Sequence, residues 1–336
     1  MEFRLETTFE NLPITPQDWN NLVAGGVTNA PFLRYEYLST WWQTRGGGEW
    51  PASAQLALVS AHENGQMLGL APLFLNEGRL WLLGSVEISD ELDLIVSPEQ
   101  HAAFVSGLLD WLAQTYPEPW SALEWVNLPD TSPTLTALQT EAAQRGWDYA
   151  VEPYQPCPTI PLPGDFETYL NGIDKKQRHE IRRKMRRAEE SGRGVRWYIV
   201  SDENHLEAEM EAFLALMAHD PEKDAFLTSV MRSQMKAAVQ AAFNAGYLQL
   251  AFLEVDGEKA CGYLNFDYDN KIWVYNSGLD RRFMDLSVGW VLLGYLLEWA
   301  NQHQRREFDF LRGNEDYKYK FGGVARHVMR ATVTRK

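Results

Sequence analysis

The clearest pattern in the chain is an apolar run from Trp290 to Trp299, which is too long for an ordinary strand and predicts a buried helix. Segments rich in β-branched and aromatic residues flank it at 271–276 and 308–311, and each predicts a strand. The order strand, loop, helix, strand predicts a parallel or split βαβ unit. The loop that leads into this helix is therefore the first candidate for a binding or catalytic site.

Alternating strand and helix patterns also fill the rest of the chain. The first half has strand patterns at 55–60, 67–75, 79–84, 90–96 and 121–127, and helix patterns at 97–115 and 132–146. Five prolines between Pro153 and Pro163 predict an extended connector, where we place a domain boundary. A basic helix is predicted beyond it at 173–191, followed by strands at 248–255 and 260–268.

Two parts of the chain match each other in the same order, roughly 190 residues apart. The matched segments begin at Gln55 and Gln249, Gly65 and Gly257, Gly69 and Gly262, and Leu108 and Leu296. Any two α/β domains share some of these features, but four matches in order favour two copies of one domain. We therefore expect a duplication.

The two copies differ where a helix begins. In the first copy, Ser97-Pro-Glu-Gln100 predicts a capping box, and Glu99 would make the helix end negative. In the second copy, Ser287-Val-Gly289 has no acid in the first turn. We expect the second copy to hold an anionic cofactor and the first to be a scaffold or a wall of the acceptor cleft.

The loop before the second helix suits a diphosphate. Free helix amides and the helix dipole attract anions, Gly289 permits close approach, and Ser287 can cap or donate. Arg281 and Arg282 add positive charge, whereas the neighbouring Asp280 and Asp285 would repel a phosphate unless they are turned away. An ordinary helix start is the alternative interpretation.

Composition narrows the classes of protein that the chain can represent. The 336 residues suffice for two domains, and a net charge of −15 disfavours nucleic acid and anionic membranes as partners of the whole surface. Two cysteines indicate a reducing compartment, and no 18-residue apolar run or secretion signal is evident, so we expect a cytoplasmic protein without a membrane span. The seven histidines lack metal-binding spacing, so we expect no metal.

Several of these features together resemble the CelD/BcsL-type acetyltransferases of the GNAT fold, which are similar to the Fem-type peptidyltransferases. The features are the tandem domains, the basic stretch 175–187, the turn Leu286-Ser-Val-Gly289, and the ending Phe310-Leu-Arg-Gly-Asn-Glu-Asp-Tyr-Lys-Tyr-Lys-Phe-Gly322. The resemblance implies an α/β fold with mixed sheets and tandem GNAT-like domains. We expect the domains at 1–155, without cofactor, and at 156–336, with the cofactor site.

The resemblance also implies the reaction, which is transfer of an acetyl or other acyl group from acyl-CoA. The acceptor would be an amine or hydroxyl of a sugar, polysaccharide precursor or amino compound. The end of the strand would hold the pantetheine arm through Tyr275, Asn276, Ser277 and Gly278. The turn and helix start would hold the diphosphate through Arg281, Arg282, Leu286, Ser287, Val288 and Gly289.

Four residues near the end of the second copy are candidates for catalysis. Acyl transfer needs a base for the acceptor, a stabilised oxyanion and a proton for the thiolate. Asp309 is the first candidate base and Glu315 the second; the alternatives are a structural acid that holds a loop amide and an exposed loop acid. Tyr317 could give the proton or be a packed aromatic. Lys318, which matches a Fem-type ending, could steady the oxyanion or an acceptor phosphate, or be a solvated lysine.

The basic segment 174–187 has eight lysines and arginines in fourteen residues, and Ile181, Met185 and Ala188 give it one narrow apolar face. It could hold a phosphorylated or nucleotide-linked acceptor, or a tRNA acceptor stem as in Fem-type relatives; a solvated face paired with acidic surface is the alternative. It contains no aromatic residue for stacking on RNA. Two other functions stay open: an aminoacyl-tRNA-dependent transferase and a non-catalytic binding protein.

Overall fold

The structure, a computed structural model, describes residues 1–336 and divides into two compact units. The first unit comprises Met1–Pro156 and His327–Lys336, and the second comprises Cys157–Arg326. Each unit is a mixed sheet packed with helices. No helix combines the length and the apolar character that crossing a bilayer requires.

The first unit contains seven strands and four α-helices before the boundary between the units. The strands are β1 (Glu2–Glu6), β2 (Gln55–Glu63), β3 (Gln66–Asn76), β4 (Arg79–Leu82), β5 (Ile95–Val96), β6 (Ala122–Pro129) and β7 (Asp148–Pro156). The helices are α1 (Pro16–Ala24), α2 (Tyr35–Gly48), α3 (Pro98–Gln114) and α4 (Pro133–Gln144).

The second unit contains six strands and seven α-helices. The strands are β8 (Thr159–Pro161), β9 (Val195–Ile199), β10 (Leu248–Val255), β11 (Glu258–Tyr268), β12 (Lys271–Leu279) and β13 (Glu307–Asp309). The helices are α5 (Phe166–Gly172), α6 (Lys175–Glu189), α7 (Glu203–Met217), α8 (Pro221–Phe226), α9 (Ser229–Asn244), α10 (Val288–Gln302) and α11 (Asp316–Lys320).

The last strand, β14 (His327–Thr334), lies in the first unit although it is the C-terminal segment of the chain. It pairs antiparallel with both β6 and β7 and completes the order β1-β2-β3-β4-β6-β14-β7, with β5 on β3. The structure thus differs from the expected second domain, 156–336, in its last ten residues. The cause is backbone pairing between segments far apart in sequence, which no local pattern reports.

The two sheets repeat one arrangement of strands, as the sequence matches indicate. The order β9-β10-β11-β12-β13 in the second unit corresponds to β1-β2-β3-β4-β6 in the first. In both units the first three pairings are antiparallel and the last is parallel. The long helices α3 and α10 each connect the two parallel strands, so each unit contains a βαβ crossover.

The copies differ after their fourth strand. The strand β12 runs to Leu279, whereas β4 stops at Leu82 and the short β5 pairs with β3 instead. The prediction of a strand over 90–96 was therefore wrong except at its last two residues. The segment is irregular around the buried Asp93, whose carboxylate accepts hydrogen bonds from Thr28, Ser132 and Thr134 at 2.6 to 2.7 Å. These bonds satisfy a charge that would otherwise be costly to bury.

The helix α10 forms the centre of the second unit's core. Its apolar residues pack with the buried faces of β10, β11 and β12. The basic helix α6 packs on it through Ile181, Met185 and Ala188, the three residues that the helical spacing selects. Gly294 leaves the room for this contact, because a Cβ there would lie 2.8 Å from the sulfur of Met185. The charged face of α6 consequently points away from the core.

Candidate functional site

The sheet of the second unit opens where β12 and β13 separate. Their parallel pairing covers three residues and ends at Trp273 and Asp309, although β12 continues to Leu279. The pairing of β12 with β11 shifts by one residue at Tyr275, which is a β-bulge. A bulge redirects the strand and its side chains. The second half of β12 therefore has an open edge on the side of β13.

Lys223, which the sequence reasoning missed, occupies part of this open edge. Its Nζ donates to Asn276 Oδ1 at 3.0 Å and to Ser277 O at 2.5 Å, and the Ser277 N–H donates to Asn276 Oδ1 at 2.8 Å. Burial lowers the pKa of Lys223, and the carboxylates of Asp220 and Glu315 oppose that change. A pantetheine arm that bound Ser277 would compete with Lys223. In the sequence, the only local feature that indicates the helix carrying Lys223 is Asp220-Pro221, which form the N-cap and the first position of α8.

Tyr317 lies in the same region as Glu315 and the buried residues of β11. Burial is the main cause that raises the pKa of Tyr317, and the charge of Glu315 raises it further. The pKa of the buried Tyr263 is raised by burial and then by Tyr317, Cys261 and Glu315. The hydroxyl of Tyr317 makes no hydrogen bond with the protein. Tyr317 is therefore a neutral phenol.

The neighbouring Cys261 is not a candidate nucleophile. Complete burial raises its pKa to about 12, so the thiol stays protonated. This agrees with its interpretation as a small core residue.

Lys318 is 3% exposed, so the interpretation of it as a solvated lysine was wrong. Its Nζ donates to the carbonyl oxygens of Arg312 at 2.8 Å and Gly313 at 3.3 Å, with Leu311 O at 3.4 Å, and forms an ion pair with Glu315 at 3.0 Å. An ammonium has three donors. Lys318 is thus a buried cation that holds the loop after β13, and an oxyanion would have to displace one of these partners.

Asp309 is fully buried at the end of β13. Its Oδ1 accepts a hydrogen bond of 2.7 Å from the N–H of Leu311, which has a positive φ of 53°. This matches the structural alternative for Asp309, an acid that holds a loop amide. A base must reach the proton of a bound acceptor, and Glu315 is the exposed carboxylate beside Tyr317.

The helix α10 begins without a side-chain cap. Ser287 precedes it in the left-handed conformation, with φ 55°, and its side chain makes no capping hydrogen bond. A capping serine normally has an extended backbone, which explains why Ser287 does not cap. The first turn contains no acid, and Val288 and Gly289 are among the residues whose amides lack helical acceptors. The helix start can therefore accept an anion.

The charges in the loop before α10 are divided unequally. Arg282 donates through its Nε and backbone N–H to the buried Asp280 and also contacts Glu258, so its charge is neutralised. Arg281 is exposed and makes no ion pair. Of the two arginines expected to supply charge, only Arg281 therefore has an unpaired one. Arg282 instead neutralises the carboxylate of Asp280, which would otherwise repel an anion at the helix start.

Two cavities flank this loop. One, of about 480 Å³, lies along the end of β12, and the other, of about 550 Å³, lies against α6. The first is lined by Leu216, Met217, His219, Asp220, Lys223, Ser277, Gly278, Leu279, Arg281 and Met284. The second is lined by Arg183, Arg186, Arg187, Glu190, Ser191, Arg193, Asp285 and Leu286. Arg186 and Arg187 make no ion pair, whereas Arg183 and Arg193 pair with Glu180 and Asp256.

The matching helix start in the first unit carries Glu99, the acid that the sequence predicts to make it negative, but it is not capped as the sequence predicts. Ser97 makes no capping hydrogen bond through its side chain, so the predicted capping box with Gln100 was wrong. The carboxylate of Glu99 instead accepts hydrogen bonds from its own N–H and from the Ser97 hydroxyl, which lower the pKa of Glu99. An ionised acid thus lies in the first turn of α3, where α10 has none.

Gly278 has a packing role that can be tested directly. A Cβ at this position would lie 2.5 Å from Met217 N and 2.6 Å from Leu216 C, which are backbone atoms at the end of α7. We expect Gly278→Ala to lower the free energy of unfolding by about 2–3 kcal/mol, because backbone cannot rotate out of the way. Urea unfolding measures the loss. Gly172→Ala is the control, since no atom lies within 4 Å of its Cβ, and an equal loss in both variants would contradict the packing role.

Comparisons with known proteins agree with this architecture. Residues 175–319 match the family model described as an acetyltransferase (GNAT) domain. The fold is similar to that of FemX, with a TM-score of 0.66 and 13% identity over 98% of this chain and 97% of FemX. No curated protein matches the chain at a significant level.

Two further solved structures share the fold over nearly their whole length. One is L-PGS from Bacillus licheniformis, with a TM-score of 0.59 and 12% identity over 96% of this chain and 92% of that protein. The other is a tandem GNAT protein from the clavulanic acid biosynthesis pathway, with a TM-score of 0.51 and 14% identity over 100% and 99%. The chain therefore has an α/β fold of tandem GNAT-like domains, and the part of its second unit that matches the GNAT domain model is residues 175–319.

Proposed function

We propose that the second unit transfers an acyl group, acetyl in the simplest case, from acyl-CoA to an amine or hydroxyl. The observation that carries this proposal is the continuity between the open, bulged edge of β12 and the uncapped start of α10. An extended arm suits the strand edge, and a diphosphate suits the free helix amides. The first unit, whose fourth strand is short and whose helix start is negative, is proposed to bind no CoA.

The donor would follow the path of β12 toward α10. Tyr275, Asn276, Ser277 and Gly278 are proposed to face the arm, with Lys223 displaced from Ser277 O when the arm binds. Val288 and Gly289 would give amides to the diphosphate, with Leu286 and Ser287 shaping the turn. Arg281 adds the unpaired charge, whereas Arg282 acts by holding Asp280.

The chemical step needs a base and an acid near the thioester. We assign the base to Glu315 in place of Asp309, because Glu315 is exposed and Asp309 is not. Glu315 takes the proton of the acceptor, whose nitrogen or oxygen attacks the acyl carbon. The tetrahedral intermediate then collapses, the carbon–sulfur bond breaks, and the thiolate takes the proton of Tyr317. Lys318 and Asp309 would position the loop that carries these groups.

The acceptor is proposed to be a sugar, a polysaccharide precursor or an amino compound, in keeping with the CelD/BcsL-type resemblance and a cytoplasmic location. A phosphorylated acceptor would suit the cavity beside α6, where Arg186 and Arg187 have no carboxylate partner. The same arginines favour a second candidate function, an aminoacyl-tRNA-dependent transfer, because unpaired arginines bind a phosphate backbone.

Calorimetric titration of the full chain separates these functions. Binding of acetyl-CoA with little binding of 3′,5′-ADP supports acyl transfer from CoA. Binding of aminoacyl-tRNA without binding of acetyl-CoA supports the second candidate. No binding of either ligand contradicts both and leaves a non-catalytic binding protein.

A further inference from the structure

A half-buried arginine in the first unit has no counter-charge. Arg45 lies at the end of α2, and its guanidinium carbon is 3.5 Å from the centre of the Trp42 ring. Its Nη1 donates to Trp42 O, whereas its Nε is buried and meets no acceptor. It forms no ion pair. Desolvation is the cause that lowers the pKa of Arg45, and no carboxylate opposes it.

Other arginines of the same unit with little exposure are paired. Arg34 forms an ion pair with Glu36, and Arg145 forms ion pairs with Asp110 and Glu141. Removing a charge from water is unfavourable unless an opposite charge or hydrogen bonds replace the water. Arg45 therefore lacks a partner that its environment calls for.

The backbone at Arg45 adds a second unfavourable feature. Arg45 has φ 55° and ψ 49°, in the left-handed region, and the next two residues, Gly46 and Gly47, continue it. Side chains disfavour this conformation, and glycine adopts it freely. An arginine at this position destabilises the fold in two ways, through its left-handed backbone and through its unpaired charge. Unfavourable features of this kind concentrate at functional sites.

Arg45 lines a cavity of about 450 Å³. The cavity is lined by Thr7, Thr8, Phe9, Glu10, Tyr35, Ser39, Trp42, Gln43 and Arg45. Four of these residues carry hydroxyls and one an amide, groups that hydrogen-bond to oxygen atoms. Glu10 is exposed and forms no ion pair with Arg45, so an anion would bind at the Arg45 end.

We propose that this cavity binds a small molecule through a carboxylate or phosphate group held by Arg45. With Nη1 bonded to Trp42 O and Nε buried, Nη2 is the remaining donor, and it can give a charge-assisted hydrogen bond to an oxygen of one oxyanion. The ligand supplies the missing counter-charge. This site lies within the first unit and does not depend on acyl transfer by the second.

The test follows the Arg45 side chain itself by NMR. Sodium phosphate and sodium acetate are titrated separately into the full chain, against sodium chloride at matched ionic strength, while the Nε–H resonance of Arg45 is observed. Arg45→Gly identifies that resonance by its loss. We expect a saturable shift with phosphate or with acetate, and the effective anion identifies the group. No saturable shift with either anion would overturn the proposal.

Variants separate binding from folding. Arg45→Gly should weaken binding of the effective anion at least about tenfold, because it removes a charged hydrogen-bond donor. It should not lower the melting temperature, since glycine relieves the left-handed strain. Arg45→Asn, which also tolerates this conformation, is a second variant. Arg79→Gln, which removes an arginine paired with Glu124, should leave binding unchanged. Equal weakening in Arg79→Gln would show general charge screening and overturn the site.

Discussion

A glutamate in place of Gly289 is expected to abolish acetyl-CoA binding while leaving the fold intact. Gly289 lies in the first turn of α10, where no acid and no cap are present. A carboxylate there would satisfy the free amides and oppose the dipole's attraction for a diphosphate. We expect the dissociation constant to rise at least about 100-fold, which corresponds to about 2.7 kcal/mol. Calorimetric titration measures it.

A smaller substitution at the same position is the matched control. A Cβ on Gly289 would lie 3.5 Å from Leu279 Cδ2, an ordinary contact, so Gly289→Ala adds bulk without strain. It should keep most of the affinity, and both variants should keep the circular dichroism spectrum of the wild type. Unchanged affinity in Gly289→Glu would refute the diphosphate site. Equal losses in both variants would instead assign the effect to bulk.

The features that the sequence predicts correctly are those set by local periodicity. The apolar run at 290–299 is too long for a strand, and it forms the centre of α10. Spacings of three and four residues select Ile181, Met185 and Ala188 as the buried face of α6. The order of the matched segments predicts a duplication, and the two sheets repeat one strand order. In each case the information lies within one element or in the order of elements.

The features that the sequence does not predict depend on contacts between distant segments. The strand β14 pairs with β6, which lies more than 190 residues earlier in the chain. No sequence pattern in residues 327–334 identifies the strand with which they pair. Lys223 reaches Ser277 from a different helix. Lys318 is buried because the loop after β13 turns three carbonyls toward it, so a lysine that looks solvated in sequence is a structural cation. Composition alone assigns none of these environments.

The unequal copies follow from differences in one short region. The strand β4 stops at Leu82, and the following segment returns through the interior around Asp93 to pair β5 with β3. In the second unit β12 keeps that place as a continuous strand, and its bulge leaves the edge open. The strand β5 thus pairs with β3 where the end of β12 pairs with β11 in the second unit. This division is why a single donor site is proposed for the whole chain.

Tyr317→Phe is expected to lower kcat about 100-fold with acetyl-CoA as donor. The variant removes one oxygen, and the ring still packs near Phe310, whose centroid is 5.9 Å away. Burial and the charge of Glu315 raise the pKa of Tyr317, so the phenol is protonated over the neutral range and can give its proton to the thiolate. Loss of a general acid typically costs between about 10²- and 10⁴-fold. Steady-state release of free thiol measures the rate.

The neighbouring Tyr319 provides the control for this loss. Its hydroxyl donates to Asn314 at 2.6 Å, so Tyr319→Phe removes the same atom from the same helix α11 and breaks a surface hydrogen bond. We expect Tyr319→Phe to keep kcat within about threefold, and both variants to keep the KM for acetyl-CoA, because a proton donor acts after binding. A Tyr317→Phe variant with unchanged kcat would exclude the phenol as the acid. A rise in KM alone would assign Tyr317 to binding, since an interaction that stabilises the ground state and the transition state equally leaves kcat unaffected.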